Sequence, residues 1–270
     1  MESFKDLERA GWNNKARGYD ELTGTITAQA IDPLLEAVGA KPGMRLLDVA
    51  CGTGLLAGAA AERGLRVVGV DFAGSMVEQA RRKHRKAEFQ LGDAEALAFD
   101  DSSFDVVTCL FGLLHLADPD AAIAQAFRVL KPGGRFAFTV WCDPDKAKFF
   151  EIVLSAMKSH GTLDVPLPPA PPLFRFSDHQ EARRSLEAQG FIDARASDLP
   201  ILLATTSEGL LNFIRQGTVR MSMVLDGQSP AAKDAIHRAI IEGAEPYRAG
   251  VGLRIPNPAV LASGVKPALA

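Results

Sequence analysis

At 270 residues and 47% hydrophobic content, the chain can form one large domain or a core carrying a substantial insertion. A net charge of −3 and a pI near 6.0 give no global attraction to nucleic acid or to an anionic membrane. No apolar run approaches the roughly 18 residues that span a bilayer, and the start MESFKDLERAGW lacks the apolar core of a signal peptide, so a cytoplasmic protein without membrane contact is expected. Residues 3–38 show helical periodicity broken at Gly11, Gly18 and Gly24, with Trp12, Ala16 and Tyr19 on one face. Taken alone, that face belongs to an amphipathic helix capping a sheet edge.

Lys41-Pro42-Gly43 punctuates the chain before Arg45–Gly58, RLLDVACGTGLLAG, the stretch that organises the rest. Leu46–Val49 reads as a buried strand, Cys51–Gly54 as a glycine turn, and about 54–63 as an Ala-rich helix that stops at Gly64. Such a corner lets a ligand approach the backbone closely, facing the N–H groups of the first helical turn. Gly52-x-Gly54-x-x-Ala57 also matches the dinucleotide fingerprint, but Asp48 would set a negative charge near a bound pyrophosphate. A carboxylate there suits a ligand that is cationic near the turn. The run Asp48-Val-Ala50-Cys-Gly52-Thr-Gly54 resembles motif I of class I S-adenosylmethionine (SAM) methyltransferases, in particular the UbiE-like, small-molecule type. The resemblance implies a doubly wound, Rossmann-like α/β sheet of seven strands, mostly parallel with the last antiparallel, beneath a helical lid and insertion. It also gives Trp12-Asn-x-x-Ala16-x-x-Tyr19-Asp20 a second reading, as a lid helix whose Tyr19 closes over the methionine end of SAM, where an aromatic face attracts a sulfonium.

A second strand over Leu65–Val70 ends in Asp71, about 20 residues past the glycine turn, where a carboxylate can accept both ribose hydroxyls. Phe72 and Met76 offer apolar faces to an adenine ring, and Ser75-x-x-Glu78 reads as a capping box for the next helix. The run Arg81–Lys86 reads as a solvated helix end complementing the macrodipole, the alternative being a nucleic-acid contact. Ala87–Leu91 forms a third strand. At Gly92-Asp93-Ala94 the resemblance implies that Asp93 and the backbone of Ala94 hold the adenine; an ordinary turn is the other reading. Phe104–Leu110, FDVVTCL, is a buried parallel strand whose end, Leu110, is placed in the site together with Ala50. His115 follows on the next loop, either as a base for a protonated nucleophile or as a packing residue. Asp118 and Pro119 start the next helix. Leu130-Lys-Pro-Gly-Gly-Arg135 reads as a helix stop and tight turn before strand Phe136–Trp141, and it too resembles a methyltransferase signature.

Further along, Lys146–His160 reads as a helix and 165–172 as a stiff proline-rich loop. Ser177-x-x-Gln180 opens a helix ending at Gly190, and a strand runs from Phe191 to about Ala204. Ser207–Gln216 and about 230–245 read as helices, and Val251–Lys266 supplies the returning strand, confined to its later part by Pro256 and Pro258. The organisation expected is lid helices over 1–40, a SAM-binding core over 41–145, the rest of the core over 146–205, an insertion over 206–248 and a final strand with tail over 249–270. Phe213, Ile214, Val219, Met221, Met223 and Val224 line a pocket or pack on the core. Cys51, Cys109 and Cys142 show no pairing or ligand spacing, so buried thiols and no metal are expected.

The implied activity is methyl transfer from SAM to a small-molecule acceptor, releasing S-adenosylhomocysteine, with no nucleic-acid partner. The alternatives are a SAM-binding protein of other activity, a nucleic-acid methyltransferase and an NAD-dependent oxidoreductase. Nothing in the sequence fixes the oligomeric state, a homodimer being one option.

Overall fold

Ser3 accepts from Asp6 N and so caps α1 (Phe4–Lys15) in the computed structural model, which describes residues 3–268. Phe4, Leu7, Glu8, Gly11 and Trp12 form the buried face of this helix. Short helices α2 (Thr23–Thr27) and α3 (Ile31–Ala37) lead into the alternating core. There β1 (Arg45–Val49), α4 (Leu55–Glu62), β2 (Arg66–Asp71), α5 (Gly74–Lys83) and β3 (Glu88–Leu91) follow one another, then β4 (Phe104–Leu110), α6 (Pro119–Val129) and β5 (Leu130–Trp141). Asp118 accepts from Ala121 N with Pro119 in the first turn, the helix start expected from those residue types.

The second half holds α7 (Lys148–His160), α8 (His179–Ala188), β6 (Ile192–Leu199) and β7 (Leu202–Thr205). It continues through α9 (Ser207–Gly217), α10 (Arg220–Asp226), α11 (Pro230–Ala244), β8 (Arg248–Ala249), β9 (Gly252–Pro256) and β10 (Ala259–Val265). Seven strands pair in the order β3-β2-β1-β4-β5-β10-β6, and β10 runs antiparallel to both its neighbours. The expected doubly wound sheet is therefore present, with its strand order reversing between β1 and β4. β4, buried along most of its length, has the continuous apolar character of a strand covered on both faces.

Four local expectations are corrected. Leu130–Arg135 is not a turn outside the sheet: β5 begins at Leu130, and the register then jumps from Phe104↔Leu130 to Val106↔Arg135. Residues 131–134 are thus a bulge, held because Gly133 N donates to Lys266 O and Lys266 N donates to Gly134 O. The 191–204 strand is broken near Pro200; β6 stays in the main sheet, while β7 joins β9 and β8 in a separate three-stranded sheet. Asp178, not Ser177, caps α8 by accepting from Gln180 N. Ser75 makes no capping box, since the N-cap of α5 is Ala73 without a side-chain bond, and Ser75 N donates instead to Asn13 Oδ1 of α1 at 2.8 Å.

The basic run ends α5 with several of its cations engaged. Arg81 donates to Phe89 O, Arg82 lies 3.6 Å from Glu78, Lys83 pairs with Asp20 and Lys86 with Glu62. All three cysteines are free and buried. Burial, then Asp71 and Asp48, pushes the Cys51 thiol well up; burial raises Cys109 to about 12. Among the described residues no helix is long and apolar enough to cross a membrane.

Candidate active site

Two residues other than glycine hold left-handed backbone at the carboxyl ends of neighbouring strands: Ala50 after β1 (φ 53°) and Phe111 after β4 (φ 54°). Such conformations are costly away from glycine and persist where the surroundings over-determine them. Phe111 N donates to Thr139 Oγ1, and the Phe111 ring stacks on Trp141 at 4.0 Å, which fixes the second of them. Both residues line a pocket of ≈ 970 Å³, counted out to its mouth, at the switch point of the sheet.

The floor of the pocket includes Ala50, Gly52, Asp71, Phe72, Met76 and Leu110, and His115 stands on its wall. Trp12 and Tyr19 come from the N-terminal region, and Phe213, Val219 and Met221 from α9, α10 and the turn between them. Tyr19 meets Trp12 edge-on at 5.8 Å; burial, the largest influence, raises its phenol to about 12, and the nearby Thr27 hydroxyl pulls against that rise. Asp93 and Ala94 lie in an adjoining smaller cleft shared with Ala50, Asp71, Phe72 and His115. Asp93 accepts from Lys5 Nζ at 2.8 Å and from Glu95 N at 2.9 Å. Asp48 and Gly54 line neither space. Of the insertion residues proposed to line a pocket, Ile214, Met223 and Val224 do not face this one.

Gly52 and Gly54 serve different ends. Both have positive φ, but a Cβ on Gly52 would meet nothing within 4 Å, whereas one on Gly54 would fall 2.8 Å from Phe89 Cζ. Gly52 leaves room for a ligand; Gly54 lets the start of α4 pack on β3. Gly54→Ala is therefore expected to cost about 1–3 kcal/mol through strain and overpacking, read as a lower melting temperature. A melting temperature equal to the wild type's would contradict that packing role.

Asp71 Oδ2 accepts from Gly52 N at 2.8 Å and Oδ1 from Ala73 N at 2.9 Å, so this carboxylate braces the glycine turn as well as lining the pocket. Asp48 lies beneath the turn, almost wholly buried. Its Oδ1 accepts from Thr108 Oγ1 at 3.1 Å, while Oδ2 has no hydrogen-bond partner. Burial raises Asp48 to about 7 and Asp71 to about 6, and each backbone or hydroxyl donor pulls back against that rise. Among the described residues neither forms a salt bridge. Asp71 thus faces the pocket, and Asp48 stands behind it as a second buried carboxylate.

Sequence reasoning missed Glu8, Arg220 and Asn257. Glu8 is fully buried and contacts His115; Arg220 and Asn257 line the pocket, and Asn257 Oδ1 is buried without a partner. Glu8 did carry a signal, because it sits within the apolar stripe of α1, four residues from both Phe4 and Trp12. Arg220 and Asn257 carried none.

Residues 47–138, which hold β1 to β5 up to Phe138, match the family model described as a methyltransferase domain. That stretch is a methyltransferase domain. The chain is 43% identical over 116 residues to a demethylmenaquinone methyltransferase of Renibacterium salmoninarum, covering 43% of this chain and 49% of that protein. It is 40% identical over 120 residues to a ubiquinone/menaquinone biosynthesis C-methyltransferase of Shewanella piezotolerans, covering 41% and 47%. The chain thus spans about half the length of the curated relatives it matches. A phosphoethanolamine N-methyltransferase 2 of Haemonchus contortus, solved with S-adenosyl-L-methionine, shares the fold with a TM-score of 0.59 at 22% identity, over 99% of this chain and 60% of that one.

Proposed function

We propose that the protein transfers a methyl group from SAM to a small, partly apolar acceptor and releases S-adenosylhomocysteine. The observation that carries the reading is the Asp48–Asp71 pair beneath an open glycine turn. SAM brings an ammonium and a sulfonium and no phosphate, and it suits a pocket with negative potential beneath it and a cradle that a Cβ on Gly52 would enter. A pyrophosphate at the turn would meet the negative potential of Asp48 instead. When bound, SAM supplies a methyl group already activated for displacement by its sulfonium.

Within this reading Asp71 holds the ribose hydroxyls while bracing Gly52. Asp48 supplies negative potential from below the turn, one layer further from the ligand than a direct contact. Phe72 and Met76 flank the adenine, and Asp93 with the Ala94 backbone borders it from the smaller cleft. Tyr19 and Trp12 roof the methionine end, and Gly54 acts through packing. The acceptor lies towards Trp141, Phe149, Phe150 and Phe213, whose rings line the remaining wall. Those walls orient a flat or apolar molecule and exclude water from the transferring methyl. His115 takes a proton from an acceptor that enters protonated, and Asn257 and Arg220 offer it polar contacts.

Titration calorimetry with SAM, S-adenosylhomocysteine and NADH tests the reading. Binding of the first two alone is expected, followed by methylation in a screen of phenols, amines and carboxylates. Binding of NADH alone would overturn it.

A further inference from the structure

Glu8 is a fully buried carboxylate on a helix face otherwise made of Phe4, Leu7, Gly11 and Trp12. A buried charge is costly unless donors converge on it. Here they do. Trp12 Nε1 donates to Glu8 Oε2 at 3.0 Å, and His115 Nδ1 lies 3.0 Å from the same oxygen. Arg220 Nε approaches Oε1 at 3.4 Å, and its guanidinium covers the Phe4 ring at 4.3 Å. Three separate segments meet at this one side chain: α1, α10 and the loop after β4. The His115 ring also packs edge-on against Trp12 at 4.8 Å, so its orientation is fixed on two sides.

From this geometry we infer that Glu8 is a positioning residue for His115, so that the proton acceptor of the pocket is complete only when α1 is docked. The inference rests on the methyl-transfer reading for the use of His115, not for its geometry. An ionised carboxylate only accepts, so the neutral imidazole bonded to it carries its hydrogen on Nδ1. Nε2 then keeps its lone pair, on a ring that lines the pocket. The oxygen that fixes this tautomer belongs to the helix roofing the site, while the imidazole belongs to the sheet end. Undocking α1 would remove the oxygen and free the ring. Arg220 supplies the opposing charge and ties the insertion to the same point. The other charged groups near His115 are Asp71 at the end of β2 and Lys5, Asp93 and Glu95 around the smaller cleft. None of these is hydrogen-bonded to the imidazole.

The test is nitrogen-15 NMR of the full chain with labelled histidine, the His115 signals being assigned by their loss in His115→Ala. At a pH where His115 is neutral, the wild type should show the Nδ1–H form. In the double variant Glu8→Leu with Arg220→Met, which strands neither charge, that form should lose its dominance. A wild-type His115 in the Nε2–H form would overturn the inference, even if the double variant fails to fold. So would a folded double variant with an unchanged tautomer. Titration of the wild type with S-adenosylhomocysteine separates the two readings: absence of binding would sink the methyltransferase proposal, whereas the tautomer result bears on Glu8 alone.

Discussion

Replacing Asp71 with alanine is expected to weaken SAM binding by at least tenfold, and towards a hundredfold if the turn loosens. The lower bound, about 1.4 kcal/mol, comes from losing ribose hydrogen bonds to a charged acceptor. The upper range follows from what else Asp71 does: Gly52 N and Ala73 N both donate to its carboxylate and would be left without it. An unmet backbone donor costs roughly 1–3 kcal/mol when water cannot reach it. Asp71→Asn retains one carbonyl oxygen and should fall between the two proteins. Calorimetric titration with SAM at neutral pH measures all three. Equal affinities for wild type and Asp71→Ala would remove Asp71 from the site.

The second large effect is a pair of opposed pH dependences. Burial raises Asp48 to about 7 and Asp71 to about 6, both above the ordinary carboxylate value of 3.8. Between about pH 4 and 7 the folded, ligand-free protein therefore holds protons that the unfolded chain has released. Stability depends on those protons, so these two groups favour the fold at low pH and lose that contribution as pH rises through 6 to 7. Binding SAM has the reverse demand, because ionised Asp71 is the stronger acceptor for the ribose hydroxyls and ionised Asp48 supplies the negative potential that favours a cation. SAM affinity should accordingly fall as pH is lowered from about 7.5 to about 5.5, a range that brackets both raised values.

Asp48→Asn separates the two halves of that statement. Its side-chain oxygen can still accept from Thr108, and no charge is buried, so ligand-free stability above pH 7 should rise by on the order of 1–3 kcal/mol relative to wild type. SAM binding should weaken, and its pH dependence should shrink to the part due to Asp71. Melting curves and titrations at several pH values read both quantities. A variant that melts below the wild type at pH 8 would show that Asp48 is not held against an unfavourable charge.

His115→Ala completes the set. A loss confined to turnover of acceptors that enter protonated, with the melting temperature retained, is expected for a proton acceptor. A large fall in melting temperature with unaltered turnover would leave His115 a packing residue.

Much of the half up to β5 was legible because its signals are local. A short apolar strand, two glycines with positive φ and an acidic residue closing the next strand are each dictated within a few residues of chain. β4 was read with its observed bounds, and the Asp118–Pro119 helix start was read from its residue types. The errors fell where a distant segment overrode a local preference. Ser75 had the letters of a capping box, but Asn13 from α1 supplied the acceptor. Lys131–Gly134 had the letters of a turn, but pairing of Gly133 and Gly134 with Lys266 made it a bulge.

The sequence by itself determined the alternation of strands and helices up to β5, the order of the motifs and the acidic residues around the glycine turn. These follow from periodicity and turn chemistry, which act over short stretches of chain. Only the tertiary structure decided that Asp48 lies beneath the turn and not against the pocket, and that Gly54 faces Phe89. The same holds for the meeting of Glu8, His115 and Arg220 on one buried carboxylate. Those residues are separated by 107 and 212 positions in the chain, 8 to 115 and 8 to 220. What brings them together is the burial of α1 and α10 over the carboxyl ends of the strands, a long-range outcome that no local pattern encodes.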